Sequence, residues 1–205
     1  MASTDSKPPS RAFLLPVALV LAAAAFRFAK LKGFITVDVL ENFSPWMALA
    51  FTGTLVFSRR VPFFAVPVLL IAIGLVATGW EKVVQWEAVA VYGCFAAAAW
   101  FAGRWRGQIG LLGGLIGVVG CSFVFYLVTN TVSWLADPAY ARSLAGWIQA
   151  LTTGIGTPGL PPTWWFLRQS LFSDLAFSSL LLAAYNAEAS LRRQQIIPLL
   201  RPAVA

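Results

Sequence analysis

Asp174 is the residue of this chain whose type and position best suit chemistry, because it stands inside the last long apolar segment of the sequence. A carboxylate at membrane depth is costly and usually faces a cavity or a partner. Ser170 and Ser178 lie four residues before and after it, so the three form a polar stripe on a helix. Asp174 is therefore either a structural hydrogen-bond or ion-pair partner, with Arg27 or Lys30 as the cation, or a group that contacts a solute or carries a proton.

A second candidate cluster lies near residue 130. Asn130 and Trp134 are four residues apart and share one face of a helix, and Thr129 adds a hydroxyl group beside them. An amide next to an aromatic plane can clamp a small molecule. The same residues would also serve as an ordinary helix end with an interfacial tryptophan, and both interpretations stay open.

A third cluster is the segment NFSPW at 42–46, where a new apolar run begins. Ser44 is a suitable N-cap and Pro45 suits the first turn of a helix. The free N–H groups of that first turn, placed between Asn42 and Trp46, could hold a carboxylate or a phosphate in a cavity. Ordinary helix capping is the alternative.

Six apolar runs must position these clusters. A membrane-spanning helix needs about 20 mainly apolar residues, and 59% of this chain is hydrophobic while 11% is charged. We therefore predict an all-α polytopic membrane protein: a six-helix domain over 11–190, between tails at 1–10 and 191–205, with a short surface helix at about 139–151 in the longest loop. The predicted spans are 12–29, 45–58, 61–79, 88–103, 109–129 and 166–186.

The charges favour one orientation of these six spans. With an even number of spans, the termini and two short loops share one side, which nets +7, while the other side nets zero. Because Lys and Arg in short loops stay in the cytoplasm, we place both termini there. The excess charge thus indicates orientation in the membrane rather than nucleic-acid binding. The first run also resembles a signal peptide, although it continues to Ala29 without a break.

Several kinds of chemistry lack the residues that they need. The chain has no histidine, and its cysteines, Cys94 and Cys121, lie in predicted spans, where packing is their expected role. No phosphate-binding loop, nucleophile elbow, C-x-x-C pair or H-E-x-x-H helix is present. We expect no metal and no cofactor. A membrane enzyme that relies on Asp174 is a third, minor interpretation, because one carboxylate is a thin catalytic set.

Small residues recur at helical spacing in two spans. The fifth span contains two G-x-x-x-G pairs and the first span two A-x-x-x-A pairs, which let helix backbones approach closely in lipid. They serve either packing within the bundle or contact with a partner subunit. The residues are Gly110, Gly114, Gly113 and Gly117, and Ala18, Ala22, Ala25 and Ala29.

Three segments together resemble a known family: ENFSPWMALAFTG, FVFYLVTNTVSWLADPAY and a following GWIQAL. Over about 12–186 the chain resembles an uncharacterised bacterial membrane family, known only as a domain of unknown function. In layout it is similar to the substrate-binding S components of energy-coupling-factor transporters. That resemblance implies an inner-membrane bundle with an outward cavity covered by loops. It also implies a transmembrane coupling protein that docks on the alanines of the first span, and separate ATPase subunits.

Our leading hypothesis from the sequence is a solute-binding subunit that captures a small molecule from outside the cell. The residues expected to line its site are Asn42, Trp46, Asn130, Trp134 and Asp174. The rival hypothesis is a structural subunit of a larger membrane complex with no ligand of its own.

Overall fold

The computed structural model describes residues 14–35, 45–57, 61–156, 158 and 161–200, and all statements about structure concern these residues. Every regular element in them is a helix, which confirms the all-α class. The helices are α1 (Leu14–Leu31), α2 (π-helical over Ala48–Gly53 and α-helical over Thr54–Val56), α3 (Ala65–Thr78), α4 (Trp80–Val83), α5 (Trp86–Trp105), α6 (Leu111–Ala136), α7 (Leu144–Leu151) and α8 (Thr163–Leu191).

Three of these helices are long and apolar enough to cross a membrane, namely α1, α5 and α6. They correspond to the first, fourth and fifth predicted spans. The third predicted span forms α3, an apolar helix of 14 residues, and the sixth forms the 29-residue α8, whose polar stripe lowers its hydropathy. The helices thus indicate a membrane protein, and the six-span topology stays a prediction.

The second predicted span, α2, differs most from a simple transmembrane helix. All residues over 47–54 are buried, and α2 packs against α1, α3, α5, α6 and α8. Its side chains are small or apolar, which lets other helices approach from every side. π-Helical turns are rare and concentrate at functional sites. The hydrophobic core forms around this helix, and its large members include Phe51, Leu70, Phe95 and Leu181.

The bundle has two ends, which we name by residues of α8. At the Asp174 end, α2 begins and the backbone N–H of Ala48 reaches Asp174. At the Glu188 end, the first described turn of α1 reaches Glu188. The loop segment with α7 lies at the Asp174 end, where the hydroxyl group of Tyr126 donates a hydrogen bond to the carbonyl of Leu151.

Two prolines of the third predicted span do not kink α3. Pro67 lies inside the predicted span over 61–79, where a proline in a helix interior would break a hydrogen bond. Because α3 begins at Ala65, Pro67 lies in the first turn, where no intrahelical N–H partner is needed, and Pro62 precedes the helix. Gly79, with a φ of +87°, ends α3 and separates it from α4.

The segment after α8 folds back onto the Glu188 end. The side-chain amide of Asn186 both donates to and accepts from the backbone of Ile197, at 2.9 and 2.8 Å. The N–H groups of Leu111 and Leu112 in the first turn of α6 donate to carbonyls of this segment, at 2.9 and 3.1 Å. The segment therefore caps α6, whose first N–H groups have no partner within the helix.

The small residues of the fifth predicted span have different surroundings in α6. A Cβ atom at Gly117 would lie 2.3 Å from the ring of Phe51, and one at Gly114 would contact side chains of α2 and α8. These two glycines serve packing within the chain. Gly113 lies against the side chain of Ile109, which precedes α6, and Gly110 is the buried residue just before the helix.

The alanines of α1, unlike Gly114 and Gly117 of α6, lie mostly on the surface. Ala18, Ala22 and Ala25 are exposed, and Ala29 is half-buried. The described part of the chain therefore leaves most of the A-x-x-x-A stripe uncovered. Its contact with another subunit stays a prediction.

Candidate functional site

A cavity of about 330 Å³ opens at the Asp174 end between α2, α6 and α8. This volume is at the lower end of the range for small-molecule sites. Three of the five residues that the sequence predicted for a ligand site line it. Its lining consists of Trp46, Met47, Phe125, Tyr126, Thr129, Asn130, Phe166, Gln169, Ser170 and Asp174.

The carboxylate of Asp174 lies at the inner part of this cavity and is 1% exposed. One oxygen accepts the backbone N–H of Ala48 at 2.9 Å, and the other accepts the hydroxyl group of Ser122 at 2.7 Å. The hydroxyl group of Ser170 is a weaker donor at 3.4 Å. A carboxylate has about four acceptor positions. Asp174 is therefore largely satisfied by the protein, and the long contact with Ser170 is the one that a ligand could replace.

Asp174 also explains how α2 can begin inside the bundle. The first N–H groups of a helix lack partners within it, and they carry a partial positive charge. Pro45 has no N–H group to satisfy, and its carbonyl accepts the N–H of Leu49 at 3.0 Å. The N–H of Ala48 is buried and takes Asp174 as its acceptor. The carboxylate thus caps α2 from a different helix.

The polar stripe of α8 faces α2 along two turns. The hydroxyl groups of Ser178 and Thr52 lie 2.7 Å apart, one turn deeper than Asp174. Ser122 joins the stripe from α6. The sequence left two structural roles open for Asp174, a hydrogen-bond partner or an ion-pair partner. Among the described residues, the observed contacts of Asp174 are hydrogen bonds.

Arg27 interacts with an aromatic ring of the site rather than with Asp174. Its guanidinium carbon lies 4.4 Å from the centroid of the Trp46 ring, within the range of a cation–π contact. Since Trp46 lines the cavity, Arg27 helps to hold one of its walls. A similar contact lies within α8, where the guanidinium carbon of Arg168 is 3.7 Å from the centroid of the Trp165 ring.

Asn130 and Trp134 do not act as one clamp. Asn130 lines the cavity and donates from its side-chain amide to the carbonyl of Tyr126 at 2.8 Å. Trp134 lies one turn further, donates to the carbonyl of Ala141 at 2.9 Å and is 6.0 Å from the guanidinium carbon of Arg142. It does not line the cavity, so the structure separates the predicted pair. Asn42, the fifth predicted residue, lies outside the described residues.

Sequence reasoning missed most of the aromatic wall. Phe166 lies eight residues before Asp174 on α8, which is about 80° beyond two full turns, so spacing alone did not place it on the face of Asp174. Gln169 neighbours Ser170 on the same helix and likewise had no spacing signal. Phe125 and Tyr126 are part of the apolar run of α6, where no spacing distinguishes a cavity wall from a lipid-facing side chain.

The described part of the connection over residues 137–162 packs against α6. Ser143 caps α7 by accepting the N–H of Gly146 at 3.2 Å. The indole N–H of Trp147 donates to the hydroxyl group of Thr131 at 2.9 Å. These contacts hold α7 beside the cavity. The surface helix predicted over about 139–151 is shorter, because the residues before Ser143 form turns.

The cavity is lined by one carboxyl group together with hydrogen-bonding and aromatic side chains. Among the described residues, no three His, Cys, Asp or Glu side chains are placed to hold a metal ion. Of the residues that the structure describes, Asp174 is the only Asp, Glu, Lys or Arg that lines the cavity. Two amide side chains, two aliphatic hydroxyl side chains, four aromatic rings and Met47 supply the remaining contacts.

The fold and the site define a class: an all-helical protein that carries membrane-length apolar helices and a small cavity with aromatic and polar walls at one end. The chain belongs to a family of unknown function, DUF6580, which its residues 7–196 match. This confirms the prediction of an uncharacterised family. No curated protein and no solved structure matches the chain, so the similarity to S components stays a hypothesis.

Proposed function

We propose that this protein is a bacterial inner-membrane subunit that binds a small solute, as part of an uptake transporter of the energy-coupling-factor type. The observation that carries the proposal is the cavity at the Asp174 end, which combines Trp46, Asn130 and Asp174 with six other polar or aromatic residues of α6 and α8. On the predicted topology, with six spans and both termini in the cytoplasm, this end faces outward.

The lining favours an uncharged solute with a flat ring. Aromatic side chains line the cavity from both α6 and α8, and the amide groups of Asn130 and Gln169 can both donate and accept hydrogen bonds. The charge of Asp174 is already balanced by the N–H of Ala48 and the start of α2. A solute with one hydrogen-bond donor could displace the weak contact of Ser170 without leaving the carboxylate unsatisfied.

The exposed alanines of α1 support the transporter part of the proposal. Ala18, Ala22 and Ala25 form a smooth surface that no other part of the described chain covers. A transmembrane coupling protein could dock there. ATP hydrolysis would belong to separate ATPase subunits, and this chain is not itself expected to be an enzyme.

The test begins with gentle purification from native membranes and mass spectrometry of the proteins and small molecules that remain bound. A retained solute is then titrated against purified wild-type protein, the variant Asn130→Ala and the control variant Trp134→Ala. Because only Asn130 lines the cavity, we expect its removal to weaken binding at least tenfold and the control to stay within about twofold, since a lost hydrogen bond of about 1.5 kcal/mol is about tenfold. Equal binding by all three proteins would show that this cavity is not the solute-binding site.

A structural subunit of a larger membrane complex is the second candidate function. The observation that favours it is that each carboxylate oxygen of Asp174 already accepts a hydrogen bond from the protein. A purely structural role would require such bonds. It predicts a stoichiometric protein partner, no ATPase and no retained solute. Recovery of such an assembly would replace the transporter proposal.

A further inference from the structure

A second and larger open space lies away from the Asp174 cavity, in a groove between α5 and α6. Its volume is about 780 Å³, and the ring of Phe51 from α2 lies at its base. Nearly all atoms that line it are carbon. None of the residues that line the Asp174 cavity lines the groove. The proposed solute site therefore does not account for it.

The groove exists because small residues face each other across the two helices. Ala90 and Ala97 line it from α5, and Gly113 and Gly120 line it from α6. No side chain at these positions is long enough to fill the space. At Gly120 an added Cβ atom would meet nothing within 4 Å, so the groove is open at this point.

The dimensions of the groove fit an extended hydrocarbon chain. It runs from Ala90 to Trp105 along α5, and from Val128 to Gly113 along α6. Each of these stretches rises by roughly 22 Å, against a hydrocarbon core of about 30 Å. Both helices are among the three that are apolar enough to cross a membrane. In a bilayer the groove would thus lie open to lipid.

The two ends of the groove differ in charge. Arg104 follows Ala97 by seven residues, a rotation of about 700°, so it stands within roughly 20° of the same face of α5. It is exposed, and its guanidinium carbon lies 5.4 Å from the ring centroid of Trp100. At the opposite end, the first turn of α5 carries the acid Glu87. An amphiphile with an anionic head is therefore favoured at the Arg104 end, while a partner helix would not need this asymmetry.

We propose that the groove binds an anionic phospholipid. Its acyl chains lie between α5 and α6 over Phe51, and its phosphate group lies beside Arg104. On the predicted topology, Arg104 is on the cytoplasmic side, so the lipid belongs to the inner leaflet. Binding of this kind is independent of the proposed solute and of any partner subunit.

The experiment is native mass spectrometry of the full chain in detergent, with phosphatidylglycerol or phosphatidylcholine of identical acyl chains added. We expect one retained lipid and at least a tenfold preference for phosphatidylglycerol. Arg104→Gln should remove the preference, and Ala97→Phe, which fills the groove, should abolish retention of both lipids.

Two control variants match these changes. Arg142 also stacks on a tryptophan but lies at the other end of the bundle, and Ala183 is an exposed alanine of α8. Arg142→Gln and Ala183→Phe should therefore bind lipid as the wild type does. The proposal is overturned if the wild type retains both lipids equally, or if the control variants lose the lipid as much as the groove variants do. Because only the low charge states of a folded monomer are compared, misfolding of one variant does not decide the outcome.

Discussion

Asp174 and Glu188 stand 14 residues apart on α8, and each accepts backbone N–H groups from the start of a different helix. Asp174 accepts from Ala48 at 2.9 Å, and Glu188 accepts from Leu14 and Leu15 at 2.9 and 2.7 Å. Fourteen residues correspond to roughly 21 Å and to nearly four full turns, so both carboxylates lie on one face of α8. The two capped helices begin at opposite ends of the bundle, and α8 thereby fixes both of them.

Removal of the Asp174 carboxylate should destabilise the protein whether or not it binds a solute. Asp174→Ala leaves the buried N–H of Ala48 without this acceptor, which costs about 1–3 kcal/mol, while Ser122 can still donate to the carbonyl of Val118. We expect a melting temperature lowered by at least about 2 °C in detergent. Asp174→Asn keeps one acceptor oxygen and should therefore lower the melting temperature less than Asp174→Ala does.

The matched control for Asp174 is Asp137, whose carboxylate accepts the N–H of Ala139 in an exposed turn. Asp137→Ala should change stability by no more than about 0.5 kcal/mol. An Asp174→Ala protein as stable as this control would show that the carboxylate does not hold α2 in place.

Glu188 should make stability depend on acid pH. Burial raises the pKa of Glu188, but the N–H groups of Leu14 and Leu15 and the guanidinium of Arg192 outweigh burial and hold the pKa below its usual value. Glu188 lies beyond the predicted span over 166–186. Its stabilising contribution is present above the unfolded-state pKa of about 4.3 and is lost as the pH falls through the lower pKa of the folded state.

The measurement for Glu188 is the melting temperature of the wild type and of Glu188→Gln from pH 7 to pH 3. At pH 7 the variant should melt lower, because it loses the ion pair with Arg192 and a charged acceptor for α1. The difference should narrow as the pH falls below about 4.3. A difference that stays constant with pH would contradict the assigned role of the charge.

Two glycines of α6 offer a test of packing with a built-in control. A Cβ atom at Gly117 would lie 2.3 Å from the Phe51 ring, whereas one at Gly120 would meet nothing within 4 Å. Gly117→Ala should therefore destabilise the protein by about 1–3 kcal/mol through overpacking. Gly120→Ala should be neutral or slightly stabilising, since alanine favours the helix by about 1 kcal/mol.

Phe51→Leu in the Gly117→Ala background should recover part of the loss, because the smaller side chain leaves room for the methyl group. The measurement is thermal unfolding, in the same detergent, of the wild type, Gly117→Ala, Gly120→Ala and the double variant Gly117→Ala with Phe51→Leu. If Gly117→Ala and Gly120→Ala behave alike, Phe51 does not pack against α6 as described.

The predicted topology can be tested with single cysteines in a background that lacks Cys94 and Cys121. Gly107, between α5 and α6, is expected in the cytoplasm, and Arg142, before α7, is expected outside. In intact cells, a membrane-impermeant thiol reagent should label a cysteine at 142 but not one at 107. Labelling at 107 alone would show that the orientation is the reverse of the predicted one. Labelling at both positions would contradict the six-span arrangement.

The sequence predicted the helices well where apolar runs are long. The spans expected over 88–103 and 109–129 became α5 and α6, which extend further at one or both ends because polar residues continue the helix. Composition could not distinguish the run over 45–58 from a transmembrane helix. It forms the buried α2 because five other helices surround it, a property of packing that its own residues do not encode.

The sequence by itself determined the helical class, the unusual position of Asp174 and its polar stripe, since these depend on hydropathy and on the four-residue spacing along one helix. Only the tertiary structure decided what those groups contact. The acceptor for Ala48 lies 126 residues away in the chain, and Trp134 turns from Asn130 toward Ala141 because α7 packs beside it. Long-range contacts of this kind depend on how helices are arranged, which local pattern does not specify.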